Sequence, residues 1–313
     1  MGESGVMRAI FARLQRVATR DTTVLLEGES GTGKELAARA IHEASTRRAG
    51  PFVVIDCGAI PRTLVDAELF GHERGAYTGA SHPRPGAFVQ AAGGTIFLDE
   101  VSELDIDLQP RLLGAIERRE VKPIGAAQSV PIDVRIVAAT NQDLRRRANE
   151  GQFREDLYYR LAVARIRLPA LRERISDIPL LVRHFIHQHS VKDGVEYPVD
   201  EDLIRRLTLQ SWPGNVRELR NVVEQVIAFG IEEVRLVEAP REPVRIDAPF
   251  KTAKANVLAA FEHKYLVALL ALHGGNITAA ASAAELDRVH FLRLLDRHGL
   301  RKSRISSPPP PRP

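Results

Sequence analysis

Seven consecutive residues, Gly28-Glu29-Ser30-Gly31-Thr32-Gly33-Lys34, carry the clearest chemical signal in the sequence. They follow the apolar run Thr23 to Glu27 and precede a helical pattern through Leu36, Ala37, Ala40 and Ile41. In that context the glycines let backbone N–H groups turn inward around phosphates, while Lys34 reaches the β and γ oxygens. Glu35 stands where such loops usually have Ser or Thr, so a magnesium ion loses its usual hydroxyl ligand and must lean on other oxygens. A second run, Gly93-Gly-Thr-Ile-Phe-Leu-Asp99-Glu100, ends in two carboxylates. Asp99 is placed to hold the metal, directly or through water, and Glu100 to polarise an attacking water. A third apolar run, Val134 to Thr140, ends at Asn141, whose amide can sense a γ-phosphate or orient the water; taken alone it is a strand cap.

Cations form the next layer. Arg154 and Arg160 lie in Gln152-Phe-Arg-Glu-Asp-Leu-Tyr-Tyr-Arg160-Leu, and Arg217 in Trp212-Pro-Gly-Asn-Val-Arg217-Glu-Leu. Arginines neutralise charge that develops on a transferred phosphoryl group. From spacing alone, surface pairing of Arg154 and Arg160 with Glu155 or Asp156 is the simpler reading. Between the phosphate loop and Asp99 sits Gly75-Ala76-Tyr77-Thr78-Gly79-Ala80, an aromatic flanked by glycines. Nucleotide hydrolysis does not require it, so it reads as an element that touches something else.

These groups need a scaffold. The runs Phe52–Ile55, Thr95–Leu98 and Val134–Ala138 are largely apolar, which suits a parallel sheet covered on both faces. Helical patterns lie at 7–17, 35–44, 64–70 and 108–118, and the chain turns all-helical from Asp177 onward, through 178–189, 200–209 and 215–229. Asn215 follows Pro213-Gly214 and is the expected cap of the last of these helices. Length permits one large α/β unit with one or two smaller ones. The formal net charge of +4 is too small to imply a nucleic-acid partner by itself. The single cysteine, Cys57, excludes an internal disulfide framework and reads as a buried thiol in a reducing cytosol. With no apolar run of spanning length, a cytoplasmic protein is expected.

The motifs together resemble the bacterial enhancer-binding proteins, activators of sigma-54 RNA polymerase that are AAA+ ATPases. Glu68-Leu-Phe-Gly-His-Glu-Arg-Gly75-Ala-Tyr-Thr-Gly-Ala80 looks like the family signature, with Tyr77 where Phe is usual. The resemblance implies that this loop engages the sigma factor on ATP binding and that Glu35 is the normal residue after the lysine. It also implies that Asn141 is the first sensor, Arg154 and Arg160 arginines acting on a neighbouring subunit, and Arg217 the second sensor. Asp56, before Cys57, replaces the Asn that in the family contacts the catalytic glutamate in a nucleotide-dependent switch. A carboxylate there is expected to repel Glu100. ATP and Mg2+ are the implied cofactors, and a hexameric ring the implied assembly.

Residues 256–304 hold a second reading. Asn276 and Asp287 are expected caps of two helices separated by a turn at Glu285-Leu-Asp287, with Arg288, His290, Arg293 and Arg297 on the second. Nine Lys/Arg against four acids between Lys251 and Arg304 concentrate positive charge there. Such a pair fits helix-turn-helix recognition of double-stranded DNA, and a dimerisation or capping module is the alternative. The segment also resembles the Fis-type domain of this family, in which Gly commonly stands where this chain has Glu285. The expected organisation is an AAA+ α/β subdomain over 1–175, a helical lid over 176–238, a linker over 239–255, the helix-turn-helix domain over 256–304 and a disordered proline-rich tail over 305–313. A DNA-binding repressor or scaffold whose ATP site serves only as a conformational switch, and a chaperone or DNA-remodelling ATPase, are rival readings.

Overall fold

The computed structural model describes residues 2–76, 82–230 and 249–300. Tyr77, Thr78, Gly79 and Ala80, residues 239–248 of the expected linker and the tail 305–313 lie outside the described residues. The chain divides into two compact units, Met1–Ala239 and Pro240–Pro313.

In the first unit, five strands form one parallel sheet in the order β2-β5-β8-β1-β9: β1 Val24–Glu27, β2 Phe52–Asp56, β5 Thr95–Asp99, β8 Arg135–Thr140 and β9 Ala164–Arg167. Successive residues of a strand face opposite sides. Leu25, Ile96, Leu98, Ile136 and Ala138 therefore enter one core, and Val24, Leu26, Phe97, Val137 and Ala139 the other. The first core is closed by α3 Arg62–Phe70, the short α4 Ala87–Gln90, α5 Gln109–Arg118, α6 Leu144–Asn149 and α7 Glu155–Leu161. The second is closed by α1 Gly5–Ala18 and α2 Lys34–Glu43. Arg135 is buried at 2% exposure and donates to the carbonyls of Val17 and Ala18, both at 2.9 Å, which satisfies the last turn of α1.

Two small hairpins stand off the sheet: β3 Gly71–His72 with β4 Arg84–Pro85, and β6 Glu120–Val121 with β7 Val130–Pro131. The first brackets Gly75–Ala80. Its root is tight: a Cβ on Gly86 would lie 2.3 Å from the Gly71 nitrogen. Ile124, in the loop of the second hairpin, donates to the Gly71 carbonyl at 2.8 Å and accepts from the Glu73 N–H at 2.9 Å, so the two hairpins lean on each other.

The lid consists of α8 Ile178–Asp193, α9 Glu201–Thr208 and α10 Asn215–Phe229, packed on Leu171, Val182, Leu207, Trp212, Leu219 and Val223. Asp177, at the head of α8, accepts from the Glu3 and Ser4 N–H groups and the Ser4 hydroxyl, all at 2.8 Å. Asn215 is not the cap expected from sequence. The residue before α10 is Gly214, whose N–H donates to the Glu218 carboxylate at 2.8 Å, and the Asn215 side chain is buried elsewhere.

The second unit holds α11 Phe250–Leu272, α12 Ile277–Ala283 and α13 Arg288–Arg297 around Leu266, Leu269, Ala280, Phe291 and Leu295. The boundary expected at residue 256 is corrected: α11 already begins at Phe250, so 250–255 is helix and not linker. Asn276 and Asp287 cap α12 and α13. Glu285 adopts φ +53°, the left-handed conformation that glycine would occupy without strain. Among the described residues no helix is long and apolar enough to cross a membrane.

Candidate active site

Strand order creates the site. Because β8 lies between β1 and β5, their C-terminal ends bring Gly28, Asn141 and Asp99-Glu100 to one crevice. The loop leaves β1 at Gly28, whose N–H donates to the Thr140 carbonyl at 3.2 Å. Gly31 and Gly33 take φ of +78° and +101°, which turns the loop into the first residue of α2, Lys34. Lys34 is 6% exposed, and its Nζ donates to the Gly28 carbonyl at 3.0 Å and to Glu100 Oε1 at 3.1 Å. Glu100 Oε2 accepts from the Asn141 backbone N–H at 2.9 Å. Glu100 itself sits at φ +48°, a conformation costly for a side-chain-bearing residue and held by its surroundings.

Three acids and one amine gather here. Burial and the neighbouring Glu100 charge raise the Asp99 carboxyl above its ordinary range. Asp56 is opposite Asp99 in the β2–β5 register, but its Oδ1 accepts from the Gly58 and Ala59 N–H groups at 3.0 and 3.1 Å. It closes its own turn, with no hydrogen bond to Glu100. Cys57 is buried and its thiol pushed up to about 12, first by burial and then by Asp56 and Asp99, so it is chemically quiet. Glu35 is exposed and pairs with Arg39 at 3.4 Å. No cluster of three or more metal-ligating side chains occurs among the described residues. A magnesium ion needs only one or two carboxylates, with water and phosphate in the remaining positions. Burial, and then the Glu100 charge, raise Asp99, and a divalent cation beside it would offset both.

The lid seats directly on the phosphate loop. Arg217 donates to Ser30 Oγ at 2.8 Å, and the Val216 N–H to the Gly31 carbonyl at 3.0 Å. Arg172 makes a two-point ion pair with Glu29, and buried Arg174 donates to the Thr32 carbonyl at 3.1 Å. A Cβ on Gly31 would lie 2.3 Å from the Gly214 carbonyl oxygen, so only glycine admits this approach. The Arg172 hydrogen bonds are the largest cause that holds Glu29 down at about 2.

Just before α7, Arg154 pairs through Nε and a terminal nitrogen with Asp156 at 3.1 and 2.7 Å. Its backbone N–H is fixed by buried Gln109 at 2.7 Å. Arg160 is exposed and has no ion pair to a described residue. Neither arginine contacts the chain's own phosphate loop. Sequence reasoning did not single out Arg172, Arg174, Gln109 or the buried role of Asn215. The pattern Leu171-Arg-Glu-Arg174 before Asp177 has no helical period, and its arginines look like solvated charges.

A parallel sheet with a phosphate loop at its crevice and a helical lid seated on that loop defines an AAA+ P-loop ATPase. Residues 1–167 match the sigma-54 interaction domain and residues 172–242 the AAA+ ATPase lid domain. The chain belongs to the sigma-54-dependent transcriptional regulators, and its first unit is an ATPase of that family. It is 44% identical over 301 residues to the transcriptional regulatory protein GlrR of Escherichia coli, covering 95% of this chain and 67% of that one. It is 50% identical over 234 residues to the DNA-binding transcriptional regulator NtrC of Azospirillum brasilense, covering 75% of this chain and 49% of that one. The crystal structure of NtrX from Brucella abortus in complex with ATP is similar at TM-score 0.69 and 35% identity, over 96% of this chain and 69% of that one.

Proposed function

We propose that the chain binds ATP and Mg2+ between the phosphate loop and the lid and converts hydrolysis into remodelling of sigma-54 RNA polymerase, from a closed to an open promoter complex. The observation that carries this reading is the convergence of Lys34, Glu100 and Asn141 at three adjacent strand ends, beneath a lid anchored to the loop. The loop N–H groups of Glu29 to Lys34, with Glu35 following, cradle the phosphates, and Lys34 exchanges its contact with Glu100 for phosphate oxygens. Glu100 then polarises the attacking water, with Asn141 beside it and Arg217 reporting the nucleotide to the lid. Asp99 would hold the magnesium, which neutralises charge on the phosphate oxygens.

Arg154 and Arg160 act on a neighbouring copy in a ring, taken as a hexamer. Their exposure, with no contact to the chain's own loop among the described residues, supports this assignment, with Arg154 leaving Asp156 when it engages. The loop Gly75-Ala76-Tyr77-Thr78-Gly79-Ala80 is the sigma-54 contact, moved through the hairpin root at Gly71 and Gly86. Asp56 serves the switch through its turn and its place beside Asp99, not by direct contact with Glu100.

The second unit is a Fis-type helix-turn-helix that holds the ring on upstream double-stranded DNA. The capped α12–α13 pair and the exposed Arg288, His290, Arg293 and Arg297 of α13 support it. ATPase rate measured against protein concentration, with and without sigma-54 holoenzyme and promoter DNA, tests the whole. The rate per chain is expected to rise with concentration and open complexes to require ATP turnover. Binding without turnover would overturn it in favour of the scaffold reading.

A further inference from the structure

Asn215 is a tightly constrained polar residue of the lid. It is fully buried, at 0% exposure, and adopts φ +55°, at the end of the turn Trp212-Pro-Gly-Asn215. Asn tolerates this conformation better than most residues but gains nothing from it. The turn is closed by the Asn215 N–H on the Trp212 carbonyl at 2.9 Å, and Trp212, at φ +50°, is anchored by its indole N–H on the Leu207 carbonyl at 2.8 Å. The backbone is thus forced into a shape that aims one amide into the seam between lid and phosphate loop.

Both ends of that amide are used. Oδ1 accepts from the Leu171 N–H at 2.8 Å, on the segment that joins the sheet to the lid. Nδ2 donates to the Ser30 carbonyl at 3.0 Å and to Glu29 Oε2 at 3.2 Å, both in the phosphate loop, and reaches the Pro213 carbonyl at 3.3 Å. Every group facing Nδ2 is an acceptor and the group facing Oδ1 is a donor, so the site accepts an amide in one orientation only. Two residues on, Arg217 reaches Ser30 Oγ.

We infer that Asn215 is a positioning residue for the ATPase reaction: its amide locks the lid to the phosphate loop through Glu29 and Ser30 and thereby sets nucleotide affinity. The inference rests on reading that loop as the ATP site. It makes Glu29, whose carboxylate is engaged by Asn215 and Arg172, half of a lid latch.

The near-isosteric Asn215→Asp variant keeps the acceptor for Leu171 but sets a carboxylate against Glu29 and two carbonyls. Binding of fluorescently labelled ADP by the whole chain is expected to weaken about tenfold, the consequence of leaving buried partners unmatched. In the Asn215→Asp/Glu29→Gln double variant the new amide nitrogen, at the Oε2 position, donates to the carboxylate and gives up one Arg172 bond, while its oxygen at the Oε1 position keeps the other. Affinity is expected to recover at least about threefold over the single variant, the mark of direct coupling. A purely structural role for Asn215 would lower the melting temperature without that rescue. Asn215→Gly, which suits the backbone and adds no charge, provides the same loss if Asn215→Asp does not fold. Binding by folded Asn215→Asp or Asn215→Gly within about twofold of the parent chain, or a double variant no tighter than Asn215→Asp, overturns the inference. Failure of the parent chain to bind ADP would instead overturn the ATP-site reading.

Discussion

The phosphate loop is held from two sides by different chemistry. On the sheet side, one buried amine, Lys34 at 6% exposure, bridges the Gly28 carbonyl and the Glu100 carboxylate. On the lid side the contacts are spread over Glu29, Ser30, Gly31 and Thr32, and their main ion pair is open to solvent, with Arg172 at 48% and Glu29 at 43% exposure. Buried, charge-assisted bonds hold one geometry, whereas exposed ones are individually weak and readily exchanged. The sheet flank thus rests on one buried charged bridge, whereas the lid flank combines the buried amide of Asn215 and the buried Arg174 with a solvent-exposed ion pair that exchanges readily.

Removing Glu100, the proposed base on the sheet flank, should produce the largest effect. Glu100→Gln is expected to lower ATP turnover by about 10²–10⁴ while labelled ADP still binds. A parallel collapse of ADP affinity would show that the two flanks are not separable. Gly31→Ala attacks the lid side sterically, because the new Cβ meets the Gly214 carbonyl and the residue sits at φ +78°. A loss of roughly 1–3 kcal/mol in denaturant unfolding, with weaker ADP binding, is expected. An unchanged midpoint would mean that the lid does not rest on the loop in solution.

Arg172→Ala should cost only about 0–1 kcal/mol and fade at high salt, as an exposed pair does. Its pH dependence has a defined sign. Glu29 is held at about 2, below its ordinary 4.5, so the pair's contribution is complete above pH 4.5 and lost as pH falls toward 2. The melting-temperature gap between the parent chain and Arg172→Ala should close through that window. A gap that widened on acidification would contradict the assignment of Arg172 as the cause.

Much of the sheet flank was legible in the sequence. The apolar runs of β1, β5 and β8 and the polar residues at their ends mark buried parallel strands. The lid contacts and the shorter strands were not. β9 alternates Ala164-Arg-Ile-Arg at a sheet edge, and the hairpin strands are two residues long, too short to show a period. Asn215 follows Pro-Gly and looks like a helix cap, yet the turn geometry at Trp212 decides its conformation and Glu218 serves the helix end instead. Arg172 and Arg174 are identifiable only once the fold brings them across to Glu29 and Thr32. For Glu285, by contrast, the glycine common at that position in the resembling family was a pointer to the left-handed φ that the turn adopts.

The contact between Ser4 and Asp177 has a mechanical consequence. These residues are 173 positions apart in the chain, yet a displacement at Glu3 or Ser4 reaches the first turn of α8 through three short hydrogen bonds. Arg174, one turn before Asp177, grips the Thr32 carbonyl. A pull on the start of α1 therefore has a short lever to the base of the lid and the floor of the phosphate loop. It bypasses the sheet altogether.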